Sequence, residues 1–222
     1  MESLANRKLL DKGYVELLDI MGDDNTVVSA ARVSYLGESK GPEKDQKLIN
    51  FMMRNGHTSP FEHVIFQWRI KCPLFVRSQW HRHRTWSYNE VSRRYTDEDI
   101  EFYIPDEWRI QDNKNKQGSM EYSTTIPNDI VKQHIKDSQK LYEDLISMDI
   151  AKEMARMILP QNLYTIFYGT VDLKNLFHFI ELRADEHAQY EIQVYAKAME
   201  DIIKDYVPWS YGAWREKHGK ES

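Results

Sequence analysis

Alternation and recurrence of apolar positions along the chain predict most of its elements. The clearest case is "HVIFQWRIK" at 63–71, where Val64, Phe66, Trp68 and Ile70 fall on one face and Gln67 and Arg69 on the other, as in a half-buried strand. "GYVELLDIMG" at 13–22 alternates in the same way, and "LYTIFYGTV" at 163–171 has the β-branched and aromatic content of a buried strand. "EFYIP" at 101–105 reads as one more. Helical signals lie between them. "DNTVVSAARVSY" begins on an Asp/Asn cap signal, and "GPEKDQKLINFMMRNG" has Pro42 and acids at its start, Leu48, Ile49, Met52 and Met53 along it, and Gly56 as a stop. Pro73 starts a short helix, "PLFVRSQWHRHR", that delivers a basic cluster at its end. Residues 107–125 are polar and turn-rich and read as an exposed loop or lid.

From Pro127 the chain is mainly helical. "PNDIVKQHIKDSQKLYEDLISM" spaces Ile130, Ile135, Leu141 and Leu145 in a helical manner, and "DIAKEMARMILP" follows as a helix stopped by Pro160. Residues 172–206 read as helix throughout, in one or two pieces. The order strand, helix, helix, strand, helix, loop, helices, strand, helices fits an α+β domain better than a βαβ repeat. With 222 residues and 41% hydrophobic content, one domain spanning 1–222 is expected.

Charge sharpens this picture. A formal net charge of −5 argues against a general nucleic-acid binder, which neutralises phosphates with excess Lys and Arg. Within this acidic chain, residues 77–94 hold Arg77, Arg82, Arg84, Arg93 and Arg94 with His81 and His83 against Glu90 alone, a pattern suited to a small polyanion. No apolar run approaches the roughly 20 residues of a membrane helix, and "MESLANRKLL" has no signal-peptide core, so no membrane contact and a cytoplasmic location are expected. Cys72 is the only cysteine, and between a strand-like run and Pro73 it reads as packing.

Four constellations could carry chemistry, each with a bland counterpart. Arg82, His83 and Arg84, followed by Ser87, Asn89, Glu90, Ser92 and Arg94, could hold a phosphate and a nucleobase, or could be a solvated basic loop. In "HTSPFEHV", His57, Ser59, Glu62 and His63 could approach a metal, but the spacing is not that of a helical metal motif, and helix capping is the alternative; no metal is expected. Arg183 and His187 are four apart, so on a helix they would share a face, as a site or as an ordinary surface pair. Arg156, within an apolar segment, must snorkel to solvent or meet an anion.

"RHRTWSYNEVS", that is Arg82-His83-Arg84, seven residues, then Ser92, resembles the signature of the flavin-dependent thymidylate synthases. "GHTSPFEH", "QWHRHR", "YNEVSRRY", "EFYIP", "ARMILPQNLYT" and "LRADEHAQYEIQ" resemble further segments of that family in the same order, over about residues 13–215. The resemblance implies a central, mainly antiparallel sheet flanked by helices, as in thymidylate synthase complementing proteins. It implies a homotetramer with active sites at subunit interfaces that binds FAD and makes dTMP from dUMP. Methylenetetrahydrofolate (the 5,10-methylene form) would give the carbon and NADPH the reducing equivalents. Cys72 lies outside every matching segment, so the flavin, rather than a cysteine adduct, would serve the hard step.

By position in these motifs, the resemblance places Gln79, Arg82, Glu90, Val91, Ser92, Arg93, Arg94, Arg156 and Arg183 at dUMP. Arg156 would come from a neighbouring subunit, Arg183 would polarise the uracil as the catalytic residue, and Glu90 would face substrate instead of balancing charge. It places Ser34, Ser59, Glu62, Arg82, His83, Arg84, Asp172, Lys174, His178 and His187 at FAD, and His57 where folate or nicotinamide enters. Arg93, Lys174 and His178 stand where the family commonly shows Gly, Arg and Asn. A nucleotide- or RNA-binding module and a histidine-dependent metal hydrolase are the competing classes.

Overall fold

The computed structural model describes residues 3–113, 118–124 and 128–219, with the side chains of 121–124 left aside. Its frame is a five-stranded sheet in which β1 (Ala5–Leu9), β2 (Gly13–Met21), β3 (Ile65–Pro73), β7 (Tyr164–Asp172) and β4 (Ser87–Glu90) lie side by side in that order. Every pairing is antiparallel. Nine-residue β3 and β7 pair along their full lengths, from Ile65 opposite Asp172 to Pro73 opposite Tyr164. That register puts Phe66, Trp68, Ile70 and Cys72 on the same face as Val171, Gly169, Phe167 and Thr165, and all eight are buried. The period-two pattern of β3 is therefore realised as expected. Fully burying each large apolar side chain stabilises the fold by about 1.5–3 kcal/mol.

Helices cover this face. α1 (Asp24–Arg32) begins at Asp23, whose carboxylate accepts from the backbone N–H groups of Asn25 and Thr26, while the Thr26 hydroxyl accepts from the Asp23 N–H. α2 (Pro42–Arg54) starts at a proline and stops before Gly56, whose φ of +71° is a turn that glycine adopts without strain. α3 (Leu74–Trp80) follows β3 directly. α6 (Leu173–Arg183), α7 (Tyr190–Ile203) and α8 (Pro208–His218) complete the layer, and the break at 184–189 splits the long helical run in two. A second, smaller apolar cluster joins Phe102, Ile135, Tyr142, Ala155, Leu159 and Leu163 around α4 (Asn128–Ser147) and α5 (Lys152–Ala155).

Several expectations are corrected. "EFYIP" is not a strand: only Phe102 forms a bridge, to Leu163, and the segment's apolar side chains pack into the second cluster and against Phe75 and Tyr164 instead of pairing along a sheet. The described part of 107–125 does not form an open loop, because β5 (Trp108–Gln111) and β6 (Ser119–Thr124) pair; residues 114–117 and 125 lie outside the described residues. Four-residue β5 alternates too briefly to stand out from its turn-rich surroundings. On α4 the buried positions are Ile135 and Tyr142 with Val131, Leu145 and Ile146 beside them, whereas Ile130 and Leu141 face outward. The helix after it is cut to one turn, then a 3-10 turn at Arg156–Ile158. Charged β1, the short edge strand β4 and α8 were not predicted from the pattern.

Candidate functional site

The turn after α3 is fixed by aromatic packing. Trp80, at the last position of α3, is fully buried, stacked on Phe179 at 4.6 Å and edge-on to Phe167 at 5.4 Å. The Tyr88 hydroxyl donates to the carbonyls of both Trp80 (3.1 Å) and His83 (3.0 Å), so β4 clamps the turn that carries Arg82-His83-Arg84. His83 is buried edge-on to Phe179, with the His178 ring centroid 6.1 Å away. Burial first, then the charge of Arg183 and the proximity of His178, lowers its pKa to about 4. It is therefore neutral near pH 7. The Arg183 Nε donates to His83 Nε2 at 3.0 Å, which places the imidazole proton on Nδ1, and Arg183 Nη2 donates to the Gln79 carbonyl at 3.3 Å. Arg183 is itself shifted down, by burial and by Arg82. The side chains of Arg82 and Arg84 are exposed and make no hydrogen bond or ion pair with any described residue. An uncompensated positive cluster of this kind favours an anion.

A second region is an open cleft of about 790 Å³ between the end of β4 and the α5 segment, with Arg77, Glu90, Ser92, Arg94, Arg156 and Thr165 in its lining. β4 pairs with β7, and the Val91 N–H extends that ladder to the Ile166 carbonyl at 2.9 Å, which sets the direction of the residues that follow. Glu90 Oε1 accepts from Arg77 Nε at 3.1 Å and from the Thr165 hydroxyl at 2.8 Å. Arg94 hydrogen-bonds the hydroxyls of Ser92 and Tyr95 and lies over the Tyr95 ring, and Arg156 hydrogen-bonds the Glu153 carbonyl, each bond at 3.3 Å; among the described residues neither has a carboxylate partner. Two guanidinium groups without a carboxylate partner thus share a cleft with a serine hydroxyl, an arrangement that suits a phosphate.

The predicted dUMP residues accordingly separate into two groups. Glu90, Val91, Ser92, Arg93, Arg94 and Arg156 line the cleft, while Gln79 and Arg183 lie beside His83, with Arg82 near enough to shift Arg183. Arg77 and Gln79 are two apart on α3, which turns their side chains to nearly opposite sides of the helix. Arg77 reaches Glu90, and Gln79 reaches Gln189 at 2.5 Å.

Around the flavin positions, the 3-10 turn Ser59–His63 packs on α6, and Lys174 Nζ pairs with Glu62 Oε1 at 2.5 Å. Asp172 caps α6 by accepting from the backbone and side-chain nitrogens of Asn175. Ser34 is exposed in the 3-10 turn Val33–Tyr35, and His57 lies edge-on to Phe51 at 5.9 Å. The exposed, unpaired Arg82 and Arg84 beside neutral His83 fit the phosphates of a dinucleotide such as FAD.

Four site expectations change. Arg183 and His187 do not share a helix face, because α6 ends at Arg183 and His187 sits in the exposed turn beyond it. Arg156 shares a cleft with Glu90, Ser92 and Arg94 of its own chain, so relative to these residues it need not come from a neighbour. Glu90 does balance charge, through Arg77, although its second oxygen is unengaged. Arg93 donates to the carbonyls of Glu98 and Asp99 and so pins its own loop. Thr165 and Gln189 were missed: Thr165 meets Glu90 only through the β3–β7–β4 register, and Gln189 has only its place in "HAQYEIQ" as a signal. Among the described residues no three His, Cys, Asp or Glu side chains are placed to hold a metal ion.

The family model described as thymidylate synthase complementing protein matches residues 16–209. The chain belongs to that family. A flavin-dependent thymidylate synthase of Thermosipho africanus is 46% identical over 211 residues, covering 93% of this chain and 92% of that protein. One from Thermus thermophilus is 45% identical over 219 residues, covering 97% and 80%. Among solved structures, the UMP/dUMP methylase PolB from Streptomyces cacaoi bound with 5-Br UMP aligns with a TM-score of 0.82 at 31% identity, over 95% of this chain and 97% of that one. The thymidylate synthase complementing fold thus accounts for the antiparallel sheet and its helical cover, and no helix among the described residues is long and apolar enough to cross a membrane.

Proposed function

We propose that the chain, acting as a single domain, converts dUMP to dTMP by reductive methylation, with 5,10-methylenetetrahydrofolate as carbon donor and NADPH as reductant through FAD. The observation that carries this reading is the cleft where Arg94, Arg156 and Ser92 lack acidic partners, on a chain whose relatives are named flavin-dependent thymidylate synthases. There Arg94 and Arg156 hold the nucleotide phosphate with the Ser92 hydroxyl, and Glu90, steadied by Arg77 and Thr165, offers its free oxygen to the nucleoside. Ser92 has no histidine or other base hydrogen-bonded to it, so it positions substrate and is not a nucleophile.

Arg183, held between His83 and the Gln79 carbonyl, supplies positive charge to the uracil as negative charge develops on the ring. Because His83 is neutral it accepts from Arg183 and does not repel it. Arg82, His83 and Arg84 with Ser34, Ser59, Glu62, Asp172, Lys174, His178 and His187 would hold FAD, which would supply the hydride transfer. His57 borders the entry of folate or nicotinamide. Gln79, Arg82 and Arg183 lie apart from the Glu90–Arg156 cleft on one chain, so a nucleotide that touches both groups bridges two chains. That separation supports active sites shared between chains, as in the homotetramer that the resemblance implies. The acidic charge balance supports a reading without nucleic-acid partners, and a cytoplasmic location without membrane contact remains part of the proposal.

The test is anaerobic. Flavin bound to the purified protein should bleach on addition of NADPH, and dTMP should form only when dUMP and methylenetetrahydrofolate are both present. Protein that neither retains nor takes up FAD would sink the proposal.

A further inference from the structure

Beneath the hairpin, a buried carboxylate is wired to a predicted substrate residue. Glu191, in the first turn of α7, is 3% exposed. Its Oε1 accepts from Arg109 Nη2 of β5 at 2.7 Å and from the Tyr103 hydroxyl at 3.3 Å, and its Oε2 accepts from Gln189 Nε2 at 2.8 Å. Gln189 Oε1 in turn accepts from Gln79 Nε2 at 2.5 Å. Gln79 sits on α3, four residues before His83, and its backbone carbonyl already holds Arg183.

We infer that Glu191 is a positioning residue for the nucleotide site, acting through Gln189 to fix which end of the Gln79 amide meets substrate. An ionised carboxylate only accepts, so Gln189 must turn its nitrogen toward Glu191 and its oxygen toward Gln79. Gln79 must then turn its nitrogen toward Gln189, which leaves its carbonyl oxygen as the end offered to a donor on the nucleotide, the base N3–H or a sugar hydroxyl. Without a pure acceptor at the root, both amides could reverse, and a reversed Gln79 would present N–H where an oxygen is needed. A carboxylate this deeply buried needs a cation beside it, and Arg109 supplies it. Through Arg109, β5 of the hairpin thus latches the root of the relay.

The inference rests on the reading that Gln79 touches dUMP, and a double-mutant cycle on the flavin-loaded enzyme separates the two. Glu191→Gln keeps the shape of the side chain but can donate, so it permits the reversed chain. Its KM for dUMP should rise about tenfold, about 1.4 kcal/mol, with kcat changed by less than about twofold. Gln79→Ala alone should raise the same KM. In the Gln79→Ala background Glu191→Gln should add less than about twofold, because the relay then ends on nothing. Gln189→Leu, which leaves the Arg109–Glu191 pair intact, should behave as Glu191→Gln does, and it carries the cycle if the latter folds poorly.

An equal rise in KM in both backgrounds would mark a structural effect and overturn the relay, as would an unchanged KM in Glu191→Gln and Gln189→Leu alike. An unchanged KM in Gln79→Ala would instead remove Gln79 from the substrate, and the relay with it.

Discussion

Replacing Arg156 by alanine tests the cleft directly, because substrate binding and folding should respond in opposite measure. In the free protein its guanidinium makes one hydrogen bond, to the Glu153 carbonyl at 3.3 Å, and the side chain is exposed. Losing that contact should change stability by no more than about 0.5 kcal/mol, or roughly 1–2 °C in Tm for a chain of this size. A charge-assisted hydrogen bond to a phosphate is worth about 1.5–3 kcal/mol, and the open cleft, where salt screens the charge, favours the lower half of that range. The dUMP KM should therefore rise about 13- to 45-fold. Arg156→Lys keeps the charge but loses the planar fork, so it should fall between the wild type and the alanine variant. The assay is the initial rate of dTMP formation against dUMP at low and high salt, beside a thermal melt, and the alanine penalty should shrink as salt is raised. An unchanged KM at low salt in a fully folded Arg156→Ala protein would refute the placement of the phosphate in this cleft.

Three other outcomes follow from the packing. Cys72→Ala should keep turnover and lose only about 1 kcal/mol or so, since the thiol is fully buried, burial raises its pKa well above the usual range, and it acts as a small apolar group; loss of turnover without unfolding would refute this. Gly169→Ala would bring a Cβ to 3.0 Å from Trp86 Cε3, and urea unfolding should show a loss of about 1–3 kcal/mol, whereas an unchanged midpoint would mean that Trp86 yields freely. His83 titrates near pH 6.5 when unfolded but at about 4 when folded, so from pH 6.5 down to 4 the unfolded chain gains a proton that the folded one refuses, and stability falls. His83→Gln should flatten that part of the pH dependence of the unfolding midpoint, and an identical profile would show that other groups govern it.

Elements with strong periods and the chemistry of the basic island can be read from the residues alone. β3, β7, α1 and α2 were legible because each buries one face against a single continuous core, so the burial period is written into the residues, and β2 was legible although a bulge between Leu17 and Asp19 leaves both Leu17 and Leu18 buried. Elements that depend on partners were not. β4 is four residues at a sheet edge, the hairpin alternates over only four residues before its turn, and α4 buries Tyr142 where Leu141 seemed the stripe. Composition likewise placed cations near residues 77–94 but could not say which ones stay unpaired. Only the tertiary structure decided that Arg77 is spent on Glu90 while Arg94 and Arg156 are not, and that Gln79 faces away from the cleft toward Gln189 and Glu191. Local periodicity reports which face of an element is apolar, whereas the partner of a polar side chain can lie far away in sequence, 110 positions for Gln79 and Gln189, and such contacts exist only once the sheet register and helix packing are set.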